Sequence, residues 1–176
     1  MNNIKLWKAF AIVMMVWLGL TNVMAADAID VKNATIKWAF DKGVDNSSKA
    51  VVSVPNGFSS TSFSLSNKLY FNGTQGTLSK LNPTDKIGNA REEASYVVFS
   101  IVPKKGVKFA LKKLNFESQK CGTSGGTLDV VVKSGKNTVD LIKGANPDRN
   151  SASAYEEDLS SIASVTEKVD FIFYVP

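Results

Sequence analysis

The chain holds a single cysteine, Cys121, set between Lys120 and the glycine-rich run "GTSGG" at 122 to 126, and it holds no histidine. Thiol and hydroxyl nucleophiles need a base in reach, and imidazole ordinarily supplies it. Ser-His-Asp and Cys-His designs are therefore excluded, and so are the histidine-bearing zinc sites. A lone cysteine cannot close an internal disulfide, and Cys121 reads as a small buried hydrophobe beside a turn. The glycines do not form a phosphate cradle either. A P-loop ends in Gly-Lys-Ser/Thr at the mouth of a helix, whereas Thr127 opens an alternating, strand-like run.

Three other groupings could do chemistry. Carboxylates cluster at Glu92 and Glu93 and again at Glu156, Glu157 and Asp158. Two acids at the right separation hydrolyse glycosides, so a small glycosidase or polysaccharide lyase is one reading. Adjacent acids point in different directions, however, and such clusters usually form solvated faces. Asp41, Asp45 and Asn46 offer the oxygens that calcium takes. Their spacing is not that of an EF-hand loop, and Asp and Asn also bond their own backbone in turns. A structural calcium ion is the sole cofactor these residues suggest. The third grouping is aromatic and polar. A sugar ring stacks on a flat side chain while nearby polar groups fix its hydroxyls. Phe58, Tyr70 and Tyr155 stand next to turns, and Asn72, Asn89, Arg91, Arg149 and Asn150 lie in polar connections, so these eight are the candidate ligand contacts.

Alternation with period two recurs along most of the chain and demands strands to carry these groups. "ATIKWAF" aligns Ile36, Trp38 and Phe40; "SYVVFSIVP" aligns Val97, Phe99 and Ile101 on one face and Tyr96, Val98 and Val102 on the other. A strand apolar on both faces is central in its sheet, and Pro103 ends it. "VKFALKKLNFES" alternates through Val107, Phe109 and Leu111, then slips by one residue at Lys112 and Lys113 before Leu114 and Phe116, which predicts a bulge. "TLDVVVK" and "NTVDLIK" around "SGK" read as a hairpin. The last run, "KVDFIFYV", points Val169, Phe171, Phe173 and Val175 one way. Phe40, Phe99, Phe109, Phe116, Phe171, Phe173 and Trp38 thus belong to the core. Only "ASAYEEDLSSIASV" breaks the pattern: Tyr155, Leu159 and Ile162 have helical spacing behind the possible caps Ser151 and Ser153, which predicts one short helix or a covering loop.

The first 25 residues have another purpose. Lys5 and Lys8, the apolar run Ala9–Leu20 and the small residues Val23 and Ala25 make a signal-peptide layout, with cleavage after Ala25 or Ala26. The expectation is export, to the periplasm or the medium, with one domain over 26–176 and no later segment able to span a bilayer. Removing Lys5 and Lys8 leaves 19 basic against 16 acidic residues, a net charge of +3. That is mild, the lysines are interleaved with apolar residues, and nucleic acid is not an expected partner. The domain is large enough to bury its own core as a monomer.

Together "IKWAFDKG", "ASYVVFSIVPKKGVKFALKKLNFESQKCGTSGGTLDVVV" and "AYEEDLSSIASVTEKVDFIFYV" resemble the accessory domains attached to secreted pectate lyases and related polysaccharide-degrading proteins of gut-type bacteria. The resemblance covers nearly all of 26–176 and lies in fold motifs: a Trp-x-Phe strand, an aromatic strand ending in Pro-x-x-Gly, a Gly-Thr turn and a closing aromatic strand. It implies a galactose-binding-like jelly-roll β-sandwich of two antiparallel sheets that binds a polysaccharide or oligosaccharide. In that family a catalytic domain typically follows, whereas this chain stops at Pro176, so the expectation is binding without catalysis. A structural or adhesive surface domain with a protein partner is the competing reading.

Overall fold

The computed structural model describes residues 14–19, 34–39, 51–75, 78–83, 95–120 and 127–175. Among them there is no helix, so nothing in them is a helix long and apolar enough to cross a membrane. The strands are β1 (Met14–Gly19), β2 (Ala34–Ala39), β3 (Val51–Ser53), β4 (Phe58–Leu65), β5 (Leu69–Gln75), β6 (Leu78–Pro83), β7 (Ser95–Pro103), β8 (Ala110–Ser118), β9 (Leu128–Ser134), β10 (Asn137–Ala145), β11 (Ser153–Asp158) and β12 (Val169–Val175). They make one five-stranded sheet in the order β11-β8-β1-β2-β3, a second in the order β10-β9-β12-β7-β4, and the separate hairpin β5-β6. All paired strands run antiparallel.

The two large sheets close on each other through the residues that the alternation singles out. Ile36, Trp38, Leu111, Leu114 and Phe116 from the first sheet and Val97, Phe99, Ile101, Val130, Val132, Val169, Phe171 and Phe173 from the second form one buried cluster. Rings meet across the layers edge to face: Trp38 on Phe99 with centroids 5.3 Å apart, and Phe116 on Phe173 at 4.9 Å. Each such side chain contributes roughly 1.5–3 kcal/mol by leaving water, and edge-to-face contact is the arrangement that aromatic quadrupoles prefer. The fold is an all-β sandwich.

Local expectations hold where the chain turns. β9 and β10 are joined by the two-residue loop Gly135–Lys136, with Ser134 opposite Asn137 and Gly135 at φ +56°. The turn after β7 is closed by Val107 N–H donating to the Lys104 carbonyl at 3.0 Å, with Gly106 at φ +84°. The phase slip in β8 is a bulge: along β1, Trp17 pairs with Lys113 and the next residue, Leu18, with Leu111. Lys112 is skipped and stays exposed, while Leu111 and Leu114 both reach the core.

The segment with helical spacing is a strand instead. Ser153–Asp158 forms β11 along the open edge of β8, in register from Ser153 opposite Ser118 to Asp158 opposite Lys113. An edge that offers six ladder positions, with Phe116 as a stacking partner for Tyr155, outweighs a weak helical period. Leu159 then buries completely by letting its N–H donate to the Lys112 carbonyl at the bulge, and Phe109 and Val165 bond each other's backbone beyond it. The apolar run of the expected leader supplies β1, which lies between β2 and β8.

Candidate functional site

An open cavity of about 450 Å³ sits beside β11, lined by Lys120, Asn146, Pro147, Asp148, Arg149, Asn150 and Ser153. Its wall is the connection from β10 to β11, "NPDRNSAS", and the local sequence explains its shape. Asp148 accepts two backbone N–H groups of its own turn at Oδ1, from Asn150 at 2.5 Å and Ser151 at 3.1 Å, the short-range bonding for which Asp is favoured in turns. The Asp148 N–H donates to Ser153 Oγ at 2.8 Å, which ties the turn to the start of the strand. Pro147 is buried beneath.

The two residues that follow β8 hold the same turn from the other side. Lys120 N–H donates to the Asp148 carbonyl at 3.0 Å, and Gln119 Nε2 donates to the Arg149 carbonyl, also at 3.0 Å. Lys120 Nζ donates to Asn146 Oδ1. Main-chain positions 148 to 151 are thus fixed by bonds that leave the Arg149 guanidinium and the Asn150 amide without a hydrogen bond or ion pair among the described residues, both in solvent reach. The buried Gln119 Oε1 also lacks a partner. The arrangement is a rigid polar rim with planar donors and acceptors facing outward.

Next to this rim stands Tyr155. Its ring lies flat on Phe116, with centroids 4.7 Å apart and planes 10° from parallel, and it is half-buried. Burial pushes its hydroxyl above the ordinary tyrosine pKa, and a side-chain hydrogen bond with Ser153, itself a cavity residue, pulls in the opposite direction. Ser153 therefore couples the aromatic to the turn.

Of the eight expected ligand contacts, Arg149 and Asn150 line the cavity, while Tyr155 does not line it and adjoins it only through its hydrogen bond with Ser153. Tyr70 is exposed, at 44 %, but belongs to the β5-β6 hairpin and does not line the cavity. Asn72 lies on the same strand, within its irregular stretch between Phe71 and Thr74. Phe58 is a correction: it is 3 % exposed and packs edge to face on Phe109 at 5.2 Å, because β4 pairs with β7 at that point and turns the ring inward. Asn89 and Arg91, the calcium candidates Asp41, Asp45 and Asn46, the acids Glu92 and Glu93, and Cys121 with its glycines lie outside the described residues.

Sequence reasoning missed Lys120, Asn146, Asp148 and Ser153. The signal was there in the density of Asn, Asp and Ser over 146–153, a turn signature; read as helix caps, the serines pointed elsewhere. It also missed Tyr96, 39 % exposed on the outer face of the second sheet, where it meets Tyr174 edge to face at 5.9 Å.

Two of the three acids of β11, Glu156 and Asp158, make contacts within the protein. Lys113 Nζ pairs with Glu156 Oε1 at 2.6 Å. Asp158 accepts the Ser160 N–H at 2.8 Å, and that backbone bond, with the Ser160 side chain, holds its carboxyl below the ordinary aspartate pKa. Comparison of the chain with protein-family models, curated proteins and solved structures returned no match.

Proposed function

We propose that this chain is an exported, non-catalytic carbohydrate-binding module of jelly-roll type, working as a monomer, and that its ligand seats in the cavity walled by Asn146–Asn150. The observation that carries the reading is the pairing, at one edge, of a backbone-locked turn whose Arg149 and Asn150 side chains are not engaged by the protein with an aromatic ring anchored on the core. Planar amide, carboxylate and guanidinium groups match the vicinal hydroxyls of a pyranose in number and direction. A ring such as Tyr155, stacked on one side by Phe116, presents its edge and remaining face to a sugar without losing side-chain freedom on binding. The engagement of Glu156 and Asp158 in structural contacts favours binding over acid-base hydrolysis. The signal-peptide layout and the resemblance to accessory domains of polysaccharide-degrading proteins support an extracytoplasmic polysaccharide or oligosaccharide as the ligand.

Affinity electrophoresis of the exported protein in gels containing pectin, galactan, xylan or host glycans tests this. Retardation by at least one polysaccharide is expected, weakened in the Arg149→Ala variant. Unchanged mobility with all of them would overturn the reading, and release of reducing sugar or of unsaturated product would replace it with an enzymatic one.

A further inference from the structure

The cavity beside β11 is charged as well as polar, and its charges are not balanced from within. Among its lining residues Lys120 and Arg149 are cations and Asp148 is the sole carboxylate, a formal net charge of +1 from two positive groups and one negative. The Asp148 carboxylate is turned to its own main chain, where Oδ1 accepts the Asn150 and Ser151 N–H groups at 2.5 and 3.1 Å. Two amide donors aimed at one carboxylate oxygen offset part of its negative field. Lys120 Nζ donates to Asn146 Oδ1, a neutral acceptor that uses one donor and leaves the ammonium charge whole. Arg149 meets no carboxylate among the described residues. Lysines elsewhere in the sandwich that stand by acids are paired with them: Lys113 with Glu156 at 2.6 Å and Lys168 with Asp170 at 3.0 Å. What this turn lacks is an acid, and a concave wall concentrates the field of its two cations.

Neutral hydroxyls would satisfy the Asn150 amide but leave both cations uncompensated. A ring carboxylate answers them. The guanidinium is a planar fork that meets both oxygens of a carboxylate in its own plane, and an ammonium beside it acts as a point charge. The fork also starts from a fixed root, since the Arg149 carbonyl is held by Gln119 Nε2 at 3.0 Å, and the Lys120 main chain is held by its N–H bond to the Asp148 carbonyl at 3.0 Å. Charge decides between the anions that sugars carry. A phosphate ester, with about 1.5–2 negative charges, exceeds the +1 of the lining. A sulfate ester has the matching single charge but not the planar pair of oxygens.

We infer that the cavity selects acidic saccharides: Arg149 forks the ring carboxylate of a uronate-type sugar, Lys120 stands beside it as the second cation, and the Asn150 amide is left for hydroxyls. The inference rests on the carbohydrate-binding reading and narrows its ligand class to glycans that carry a carboxylate. Lys120, which the turn alone would not bring here, then has a role in selectivity apart from the bracing by its main chain.

The test compares polymers that differ in the carboxylate alone. Affinity electrophoresis is run in gels containing alginate or polygalacturonate, each beside its carboxyl-reduced form, with a sulfated galactan as a further arm. The acid forms are expected to bind at least about tenfold more tightly than the reduced ones, the range of a hydrogen bond to a charged group. Lys120→Gln removes the charge and keeps the main-chain bond to the Asp148 carbonyl, so its melting temperature should hold. It should lower the acid-to-neutral ratio about two- to fivefold, as for an exposed ion pair, and leave binding of the reduced polymer unchanged. Lys136→Gln, an equal change of net charge at the exposed β9-β10 tip, should keep the wild-type ratio. An equal loss in Lys136→Gln, or a sulfated galactan that binds as tightly as the uronates, would show that overall charge is read and not a carboxylate, which overturns the inference. The polymer comparison on the wild-type chain stands even if Lys120→Gln does not fold. Retardation by neutral polymers with no gain from the carboxylate overturns this inference and leaves the carbohydrate reading standing; no retardation by any polymer overturns both.

Discussion

Replacing Arg149 by alanine should weaken carbohydrate binding without weakening the fold, and the structure sets both magnitudes. The main chain at 149 is held through its carbonyl, which accepts from Gln119 Nε2 at 3.0 Å, and alanine keeps that carbonyl. The guanidinium has no partner among the described residues, so its removal belongs to the class of surface changes that stay within about 0.5 kcal/mol. For a domain of this size that corresponds to a melting shift of roughly 1–2 °C. A charged donor that bonds a ligand hydroxyl contributes about 1.5–3 kcal/mol, which is roughly 10- to 150-fold in Kd. Affinity electrophoresis against the retarding polysaccharide gives the Kd ratio, and scanning calorimetry gives the melting temperature of the same samples. Lys136→Ala, which removes an equal charge at the exposed tip of the β9-β10 hairpin, serves as the control and should bind as wild type. Unchanged retardation in Arg149→Ala, or an equal loss in Lys136→Ala, would refute the placement of the site at this turn.

Other outcomes follow from the same geometry. Asp148→Ala leaves the Asn150 and Ser151 N–H groups without their acceptor and should lower both affinity and melting temperature, the latter by about 2–8 °C for a loss of roughly 1–2 kcal/mol; calorimetry distinguishes it from Arg149→Ala. Gly135→Ala places a Cβ at φ +56°, where L-residues lose about 1–2 kcal/mol, while the nearby Glu167 carboxylate, 2.7 Å from that Cβ, is a flexible end that swings away; thermal unfolding should show the loss. Because burial raises the Tyr155 pKa in the folded state, the unfolded chain ionises first, so this contribution to stability is complete below the ordinary tyrosine pKa and is lost as pH rises through the folded value. Denaturant midpoints from pH 8 to 11 should therefore fall less in Tyr155→Phe than in wild type. Phe116→Ala should cost roughly 3–5 kcal/mol and bring the Tyr155 ultraviolet titration back toward the ordinary range, since it uncovers the ring face.

What could be read in the sequence was whatever depends on period two. Alternation in β2, β7 and β12 placed Trp38, Phe99, Phe171 and Phe173 in the core, because the pleat gives no other choice to a strand with one buried face. The bulge at Lys112 was legible for the same reason: two lysines where one was due must break the phase. β11 was not legible, since its strand state comes from the open edge of β8 and the ring of Phe116, neither of which is local to "SAYEED". Phe58 failed in the opposite direction, as standing next to a turn says nothing of which way β4 faces when it meets β7. The cavity was half legible. Arg149 and Asn150 lay in a visibly polar connection, but Lys120 joins them only because β8 ends where the β10-β11 turn passes, a coincidence of topology.

That coincidence also explains why the turn can serve as a binding surface. A loop that recognises a sugar through a few planar side chains must hold them within a fraction of an ångström before the ligand arrives, or part of the interaction free energy goes into ordering it. Here five bonds hold the main chain of the turn: Lys120 N–H to the Asp148 carbonyl, Gln119 Nε2 to the Arg149 carbonyl, Asp148 N–H to Ser153 Oγ, and the Asn150 and Ser151 N–H groups to the Asp148 carboxylate. Three of these begin or end on Gln119 and Lys120, directly after β8, or on Ser153 of β11, and these strands carry Leu114 and Phe116 into the packed core and Tyr155 against it. Rigidity is thus borrowed from the sandwich, and the side chains not used in the locking, Arg149 and Asn150, are those left to meet a ligand. The division has a consequence for Gln119. Gln119→Leu keeps the volume but removes the bond to the Arg149 carbonyl, so it should weaken binding about as much as one neutral hydrogen bond, roughly 0.5–1.5 kcal/mol, although Gln119 is buried and touches no ligand. A Gln119→Leu variant with wild-type retardation and an intact fold would show that the turn needs no such bracing, and that recognition there depends on the side chains alone.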